Sequence, residues 1–150
     1  MTRIMFVCHG NICRSPMAEF IFRKMVLDRG LGKDFVIASS ATSTEELGNA
    51  VYPPAKEELA LHGISARGKY AVQLKASDYD KYDLFVGMDS ANIRNMHRIL
   101  CGDPSGKISK LMDHTERGGD VSDPWYSRRF DIAYRDIYEG CAALLDELTQ

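Results

Sequence analysis

A chain of 150 residues with 45% hydrophobic content has the size and apolar supply of a single domain, residues 1–150, built around one core. A net charge of −2, with Lys and Arg scattered along the chain, offers no basic patch for nucleic acid, and no apolar run approaches a membrane span. Four cysteines without a CxxC pair or a neighbouring His cluster argue against a disulfide scaffold or a zinc site. The run Ile4–Val7 is too short for a signal peptide, so a cytoplasmic location with reduced thiols is expected.

In chain order, strands and helices alternate. Arg3–Val7 reads as a strand buried on both faces. Ser15 and Pro16 then open a helix, Ser as N-cap and Pro at the first position. Its apolar face is Met17, Ile21 and Met25, with Ala18 and Phe22 beside them, until Gly30 and Gly32 stop it. Phe35–Ser39 is the second strand. A polar stretch, Ser40–Pro54, leads to a short helix through Leu59 and Leu61 that ends near His62 and Gly63. Leu84–Val86 is a third strand, Ser90–Leu100 the next helix, and Lys107–Met112 a weaker fourth strand. After a loop rich in Gly and Asp, Phe130, Ala133, Ile137, Cys141, Leu144 and Leu148 recur at helical spacing. This alternation predicts an α/β fold: a small four-stranded parallel sheet flanked by helices on both faces. The loops at Cys8, at Met88-Asp89 and before Pro124 then meet beyond the carboxyl ends of the strands, where such sheets bind ligands.

The chemistry sits in Cys8-His9-Gly10-Asn11-Ile12-Cys13-Arg14-Ser15, between a strand and a helix. A loop of this kind turns backbone N–H groups inward and forms an anion nest at the positive end of the helix dipole. Gly10 permits close backbone approach and unusual dihedrals, and Arg14 supplies a planar fork for two phosphoryl oxygens. Cys8 at the base of the nest faces the phosphorus as a nucleophile, and Ser15 can donate to its sulfur. Asp123, in Asp123-Pro124-Trp125-Tyr126, can act as general acid and then as base, with Trp125 and Tyr126 walling a slot for an aromatic ring.

Cys8 to Ser15 matches the C-x5-R-[ST] signature, and its place at the N-terminus resembles the low-molecular-weight protein tyrosine phosphatases. Asp123-Pro124-Trp125-Tyr126, His62-Gly63-Ile64 and Met88-Asp89 match the same family in the same order, so the likeness spans essentially the whole chain. The resemblance implies phosphotyrosine hydrolysis through a cysteinyl phosphate, with Cys8 as nucleophile, Arg14 as clamp and Asp123 as acid and base. It implies that His9, Gly10, Asn11, Ile12, Cys13, Ser15, Trp125 and Tyr126 bind substrate, with Asn11 holding the loop in a strained shape. It implies a protective Cys8–Cys13 disulfide, no metal or organic cofactor, phosphotyrosine proteins or aryl phosphates as partners, and inorganic phosphate as product.

The pattern departs from the family after the second strand. Many members place an aromatic wall there, and this chain has Thr44-Glu45-Glu46-Leu47-Gly48, with Tyr52 as a candidate substitute. Elsewhere the plainer roles are expected. Cys101 and Cys141 read as small buried hydrophobes, Asp89 as the N-cap before Ser90, and Glu45 and Glu46 as a solvated loop face.

Two related chemistries compete. Arsenate reduction needs two further cysteines close together, and Cys101 and Cys141 lie 40 residues apart. Phosphoarginine phosphatases resemble this chain but tend to carry Thr where Ile12 stands, and Ile12 suits an aromatic ring better than a guanidinium.

Overall fold

The computed structural model describes residues 1–150. Its frame is one four-stranded, all-parallel sheet of β1 (Thr2–Cys8), β2 (Phe35–Ala41), β3 (Leu84–Gly87) and β4 (Ile108–Lys110), in the order β2-β1-β3-β4. The helices are α1 (Arg14–Asp28), α2 (Pro53–Leu61), α3 (Ser90–Ile99), α4 (Pro124–Ser127) and α5 (Phe130–Leu148). No helix is long and apolar enough to cross a membrane.

The predicted elements are present, with shifts at their ends. β2 runs on to Ala41, in register with Cys8, so the sheet reaches the base of the cysteine loop. Lys107–Met112 splits into β4 and a 3-10 turn over Leu111–His114. The start of α1 differs more. The helix begins at Arg14, and Cys13 occupies its N-cap without a side-chain cap. Ser15 therefore lies inside the first turn, where its hydroxyl is free for other work. Pro16 also lies in that turn, where a missing N–H costs nothing.

The central strands are covered on both faces, which is why they read as unbroken apolar runs. On one face Ile4, Phe6 and Val86 pack with Met17, Ile21 and Phe22 of α1 and with Ile137, Cys141 and Leu144 of α5. On the other, Met5, Val7 and Phe85 pack with Met96 and Leu100 at the α3 side. α5 comes very close to the turn after β4. A Cβ at Gly140 would stand 2.5 Å from Leu111 Cγ, so only glycine allows this approach. Cys141 is buried as expected, its thiol 3.8 Å from the Ala18 carbonyl. Cys101 is not: it is exposed, with φ of 60°, in the left-handed turn that ends α3. A helix-ending turn faces solvent, and that overrides the residue's preference for the interior.

Candidate active site

The loop after β1 turns its carbonyls outward. Those of Cys8, His9 and Ile12 accept from Thr42, Ser43 and Tyr52 at 2.9, 3.0 and 2.9 Å, and that of Cys13 accepts from Met17 at 3.1 Å. With the carbonyls fixed on the outside, the N–H groups face in. Those of Asn11 and Ser15 point at Cys8 Sγ, 3.3 and 3.4 Å away. Those of Gly10, Ile12 and Cys13 donate to no protein group. Two backbone N–H groups thus point at the sulfur, and three more on the same loop are left without a protein partner.

The strained residue is Asn11, not Gly10. Asn11 takes φ of 59°, a left-handed value tolerated by few side chains. Gly10 has no positive φ, and a Cβ there would only reach ordinary contact with Glu46 Cγ at 3.4 Å. The Asn11 amide makes its conformation worthwhile. Nδ2 donates to Ser15 Oγ at 2.7 Å and Ser39 Oγ at 3.0 Å, and Oδ1 accepts from Val72 N at 3.1 Å. Ser39 Oγ donates to Glu19 Oε1 at 2.5 Å, and Glu19, almost fully buried, also meets Arg23 at 2.8 Å and Lys69 at 3.6 Å. Burial pulls the Lys69 ammonium below its ordinary pKa, and Glu19 works the other way. The direction of this chain is set by its end. A carboxylate only accepts, so Ser39 gives its proton to Glu19 and takes one from Asn11. Asn11 likewise donates to Ser15, whose hydroxyl lies 3.0 Å from Cys8 Sγ and keeps a proton that a thiolate there can accept.

Arg14 is buried beside the nest. Nη2 lies 2.9 Å from Asp89 Oδ2 and 3.4 Å from Asp123 Oδ2, and Nη1 donates to the Val121 carbonyl at 3.2 Å. Burial works against its charge, but Cys8, Asp123 and Asp89 outweigh it and raise the guanidinium pKa. Asp89 is the expected N-cap, accepting from Asn92 N at 2.8 Å through Oδ1, and it also holds the arginine through Oδ2. Burial first, then the nearby Cys8 and Asp123, push the Cys13 thiol up to about 12, so it stays protonated at neutral pH.

Asp123 caps the short helix α4, its Oδ1 accepting from Trp125 N at 3.0 Å. It stands at the rim of a cavity of about 450 Å³ whose floor is Cys8, Ile12, Cys13 and Arg14. Trp125 and Tyr126 form one wall and are exposed, so neither ring is core. His9, Gly10, Glu45 and Glu46 also line the cavity, as do Asp89, Ala91, Asn92 and Asn95 at the α3 side, with His9 Nε2 and Glu45 Oε2 3.0 Å apart. Tyr52 does not replace the missing aromatic wall. Its ring packs behind Trp125, with centroids 5.0 Å apart, and its hydroxyl accepts from Arg128 at 2.9 Å. Of the two glutamates, expected to be a solvated face, Glu45 is exposed and Glu46 half-buried, and both line the cavity.

The structure thus gathers the residues named from sequence around one cavity, with Asn11 and Ser15 lying beneath its floor. Glu19, Ser39 and Lys69, and the second contact of Asp89, were missed. Nothing in sequence spacing ties residue 19 to 39 and 69, although a Glu on an apolar helix face was a usable signal.

A family model described as low molecular weight phosphotyrosine protein phosphatase matches residues 3–150. The chain belongs to this family. The low molecular weight protein-tyrosine-phosphatase YfkJ of Bacillus subtilis is 35% identical over 147 residues, covering 97% of this chain and 94% of that protein. The low molecular weight phosphotyrosine protein phosphatase of Sus scrofa is 34% identical over 150 residues, covering 97% and 94%. The crystal structure of YfkJ superposes with a TM-score of 0.96 at 34% identity, covering 99% of this chain and 95% of that one. That of SP-PTP, from Streptococcus pyogenes, gives 0.90 at 33% identity, covering 100% and 95%. Low-molecular-weight protein-tyrosine-phosphatases are hydrolases, and this chain is an enzyme of that class.

Proposed function

We propose that residues 1–150 act as one catalytic domain that hydrolyses phosphotyrosine through a cysteinyl phosphate, with Cys8, Arg14 and Asp123 as the reacting groups. The observation that carries this reading is that one cavity is lined by Cys8, by Gly10, Ile12 and Cys13, whose N–H groups have no protein partner, by the buried Arg14 and by Asp123. The phosphoryl oxygens would take the N–H groups of Gly10, Ile12 and Cys13 and the fork of Arg14. These donors are in place before charge develops, which is how such sites lower a barrier. The Cys8 thiolate attacks phosphorus, and the P–O bond to the phenol breaks as Asp123 gives its proton to the leaving oxygen. The Asp123 carboxylate then takes a proton from water, which attacks the cysteinyl phosphate. Inorganic phosphate leaves, and the Cys8 thiolate is restored. Ser15 donates to the sulfur at both stages and makes it a better leaving group in the second.

The slot between Trp125, Tyr126 and Ile12 supports an aryl substrate. Ile12 offers no hydrogen bond to a guanidinium, so a phosphoarginine substrate is disfavoured. Arsenate reduction gains no support from the other two thiols, since Cys101 ends α3 at the surface and Cys141 is buried against α1. Free cysteines and this thiol chemistry suit a reducing, cytoplasmic setting.

The test is a set of aryl phosphates of graded leaving-group pKa, run with wild type and Asp123→Asn. On a leaving group as basic as tyrosine, with a pKa of about 10, Asp123→Asn should lose roughly 10²–10⁴ in kcat. With strongly acidic phenols the loss should shrink. An equal loss across the series removes Asp123 as the acid, and faster turnover of phosphoarginine than phosphotyrosine peptides removes the substrate assignment.

A further inference from the structure

Asp123 has only two side-chain contacts of its own, and the stretch leading to it is held by single bonds rather than by a regular element. Gly118 and Gly119 both take positive φ, 62° and 89°, and no regular element occupies 115–123. Val121 is tied on both sides, its N–H to the Met88 carbonyl at 2.9 Å and its carbonyl to Arg14. The next residue, immediately before the acid, is tied to α5. Ser122 N donates to Asp136 Oδ2 at 3.1 Å, while Asp136 Oδ1 accepts from Arg117 Nη2 at 2.6 Å. Asp136 is only 4% exposed, on a helix whose other inward residues are apolar. A buried carboxylate among apolar neighbours is destabilising unless its oxygens are satisfied, and here one of them is satisfied by the backbone of the acid loop. Arg117 also reaches Glu139 at 3.0 Å, and Arg135 lies 3.9 Å from Asp136.

We propose that Asp136 is a positioning residue for the general acid: its carboxylate, oriented by Arg117, fixes the backbone next to Asp123 and so holds the acid at the leaving oxygen. The proposal rests on the reading of Asp123 as acid. Without the bond to Ser122, the last tether before Asp123 is Val121, and one more residue can swing. Displacement of a reacting group by about 1 Å costs on the order of 10²-fold in rate, so a partial loss of hold should be visible. The effect should fall on proton transfer alone, because the nest under Cys8 shares no contact with Asp136.

The experiment is the aryl phosphate series run on Asp136→Ala, Asp136→Asn and each combined with Asp123→Asn. Asp136→Ala should lose roughly tenfold in kcat on leaving groups as basic as tyrosine and little on acidic phenols. Inhibition by inorganic phosphate and alkylation of Cys8 should stay at wild-type levels. Asp136→Asn keeps an oxygen that can accept from Ser122 and should recover most of the loss. In the Asp123→Asn background the Asp136 changes should add almost nothing, since two residues serving one step are not additive. If Asp136→Ala does not fold, Arg117→Met, which frees the carboxylate to turn, should show the same leaving-group dependence at smaller size. A loss equal across the series, a loss carried in full into the Asp123→Asn protein, or no loss overturns the proposal. If Asp123→Asn itself lacks leaving-group dependence, the acid assignment fails first. If it shows that dependence and the Asp136 variants do not, only the positioning role fails.

Discussion

The loop beneath Cys8 and the loop that carries Asp123 face each other across one cavity, but they are held on different terms. The first is locked from below by a buried chain of side chains, Ser15, Asn11, Ser39 and Glu19, that ends in a fixed acceptor. The second is held by backbone bonds at Val121 and Ser122, two glycines lie upstream, and its aromatic residues stand in solvent. The difference suits the roles proposed for Cys8 and Asp123. A nucleophile needs a constant field around its sulfur, and side chains in a dry interior hold that field well. An acid has to admit a substrate, meet its leaving oxygen and then turn to water, which suits a tethered rim segment.

The sharpest way to break the contrast is at Arg14, which lies in the first turn after the one loop and is bonded to Val121 and Asp123 of the other. Arg14→Lys should lose on the order of 10²–10³ in kcat, because an ammonium cannot hold Val121, Asp89 and two phosphoryl oxygens in one plane. Steady-state kinetics near wild type would show that the fork is not on the phosphate. The next effect belongs to the buried chain alone. Ser39→Ala removes the link between Glu19 and Asn11 and should cost about 1–3 kcal/mol of stability in a melting experiment. Its kcat should fall by a similar factor on every leaving group, whereas changes on the acid side depend on the leaving group. Unchanged melting and kinetics in Ser39→Ala would mean that the chain holds nothing.

The smallest effect concerns pH. Cys13 has a folded pKa of about 12 against an ordinary 9.0, and burial also raises that of Cys141. A raised pKa gives stability that is complete below about 9 and is lost as pH climbs towards the folded value. Melting temperature should therefore decline between pH 9 and 12, and Cys13→Ala should flatten part of that decline. A slope unchanged by the substitution would assign it to other groups.

The strands and helices were legible because both faces of β1 and β3 are buried and because the faces of α1 and α5 repeat at helical spacing. The anion loop was legible because its glycine, arginine and serine sit in one short stretch. What escaped was assembled from distant parts of the chain. Glu19, Ser39 and Lys69 come together only through the packing of α1 on β2, and Asp136 meets Ser122 only when α5 folds back over the acid loop. Asp89 was read as a helix cap and is one, but only the fold reveals that its second oxygen faces Arg14. The unusual dihedral allowed to Gly10 falls instead at Asn11, the residue the family resemblance already gave the strained shape, since position 11 needs both a left-handed backbone and an amide.

That last feature limits what evolution or an engineer can write at position 11. Glycine would accept the φ of 59° but forfeit the bonds to Ser15, Ser39 and Val72. Aspartate would keep the acceptor for Val72 and present a second acceptor where two donated bonds are required. Serine and alanine would meet neither demand, and glutamine would carry the amide one methylene too far. Of the twenty residues, asparagine is the one that answers the backbone and the side-chain network together, so this position has an alphabet of one letter.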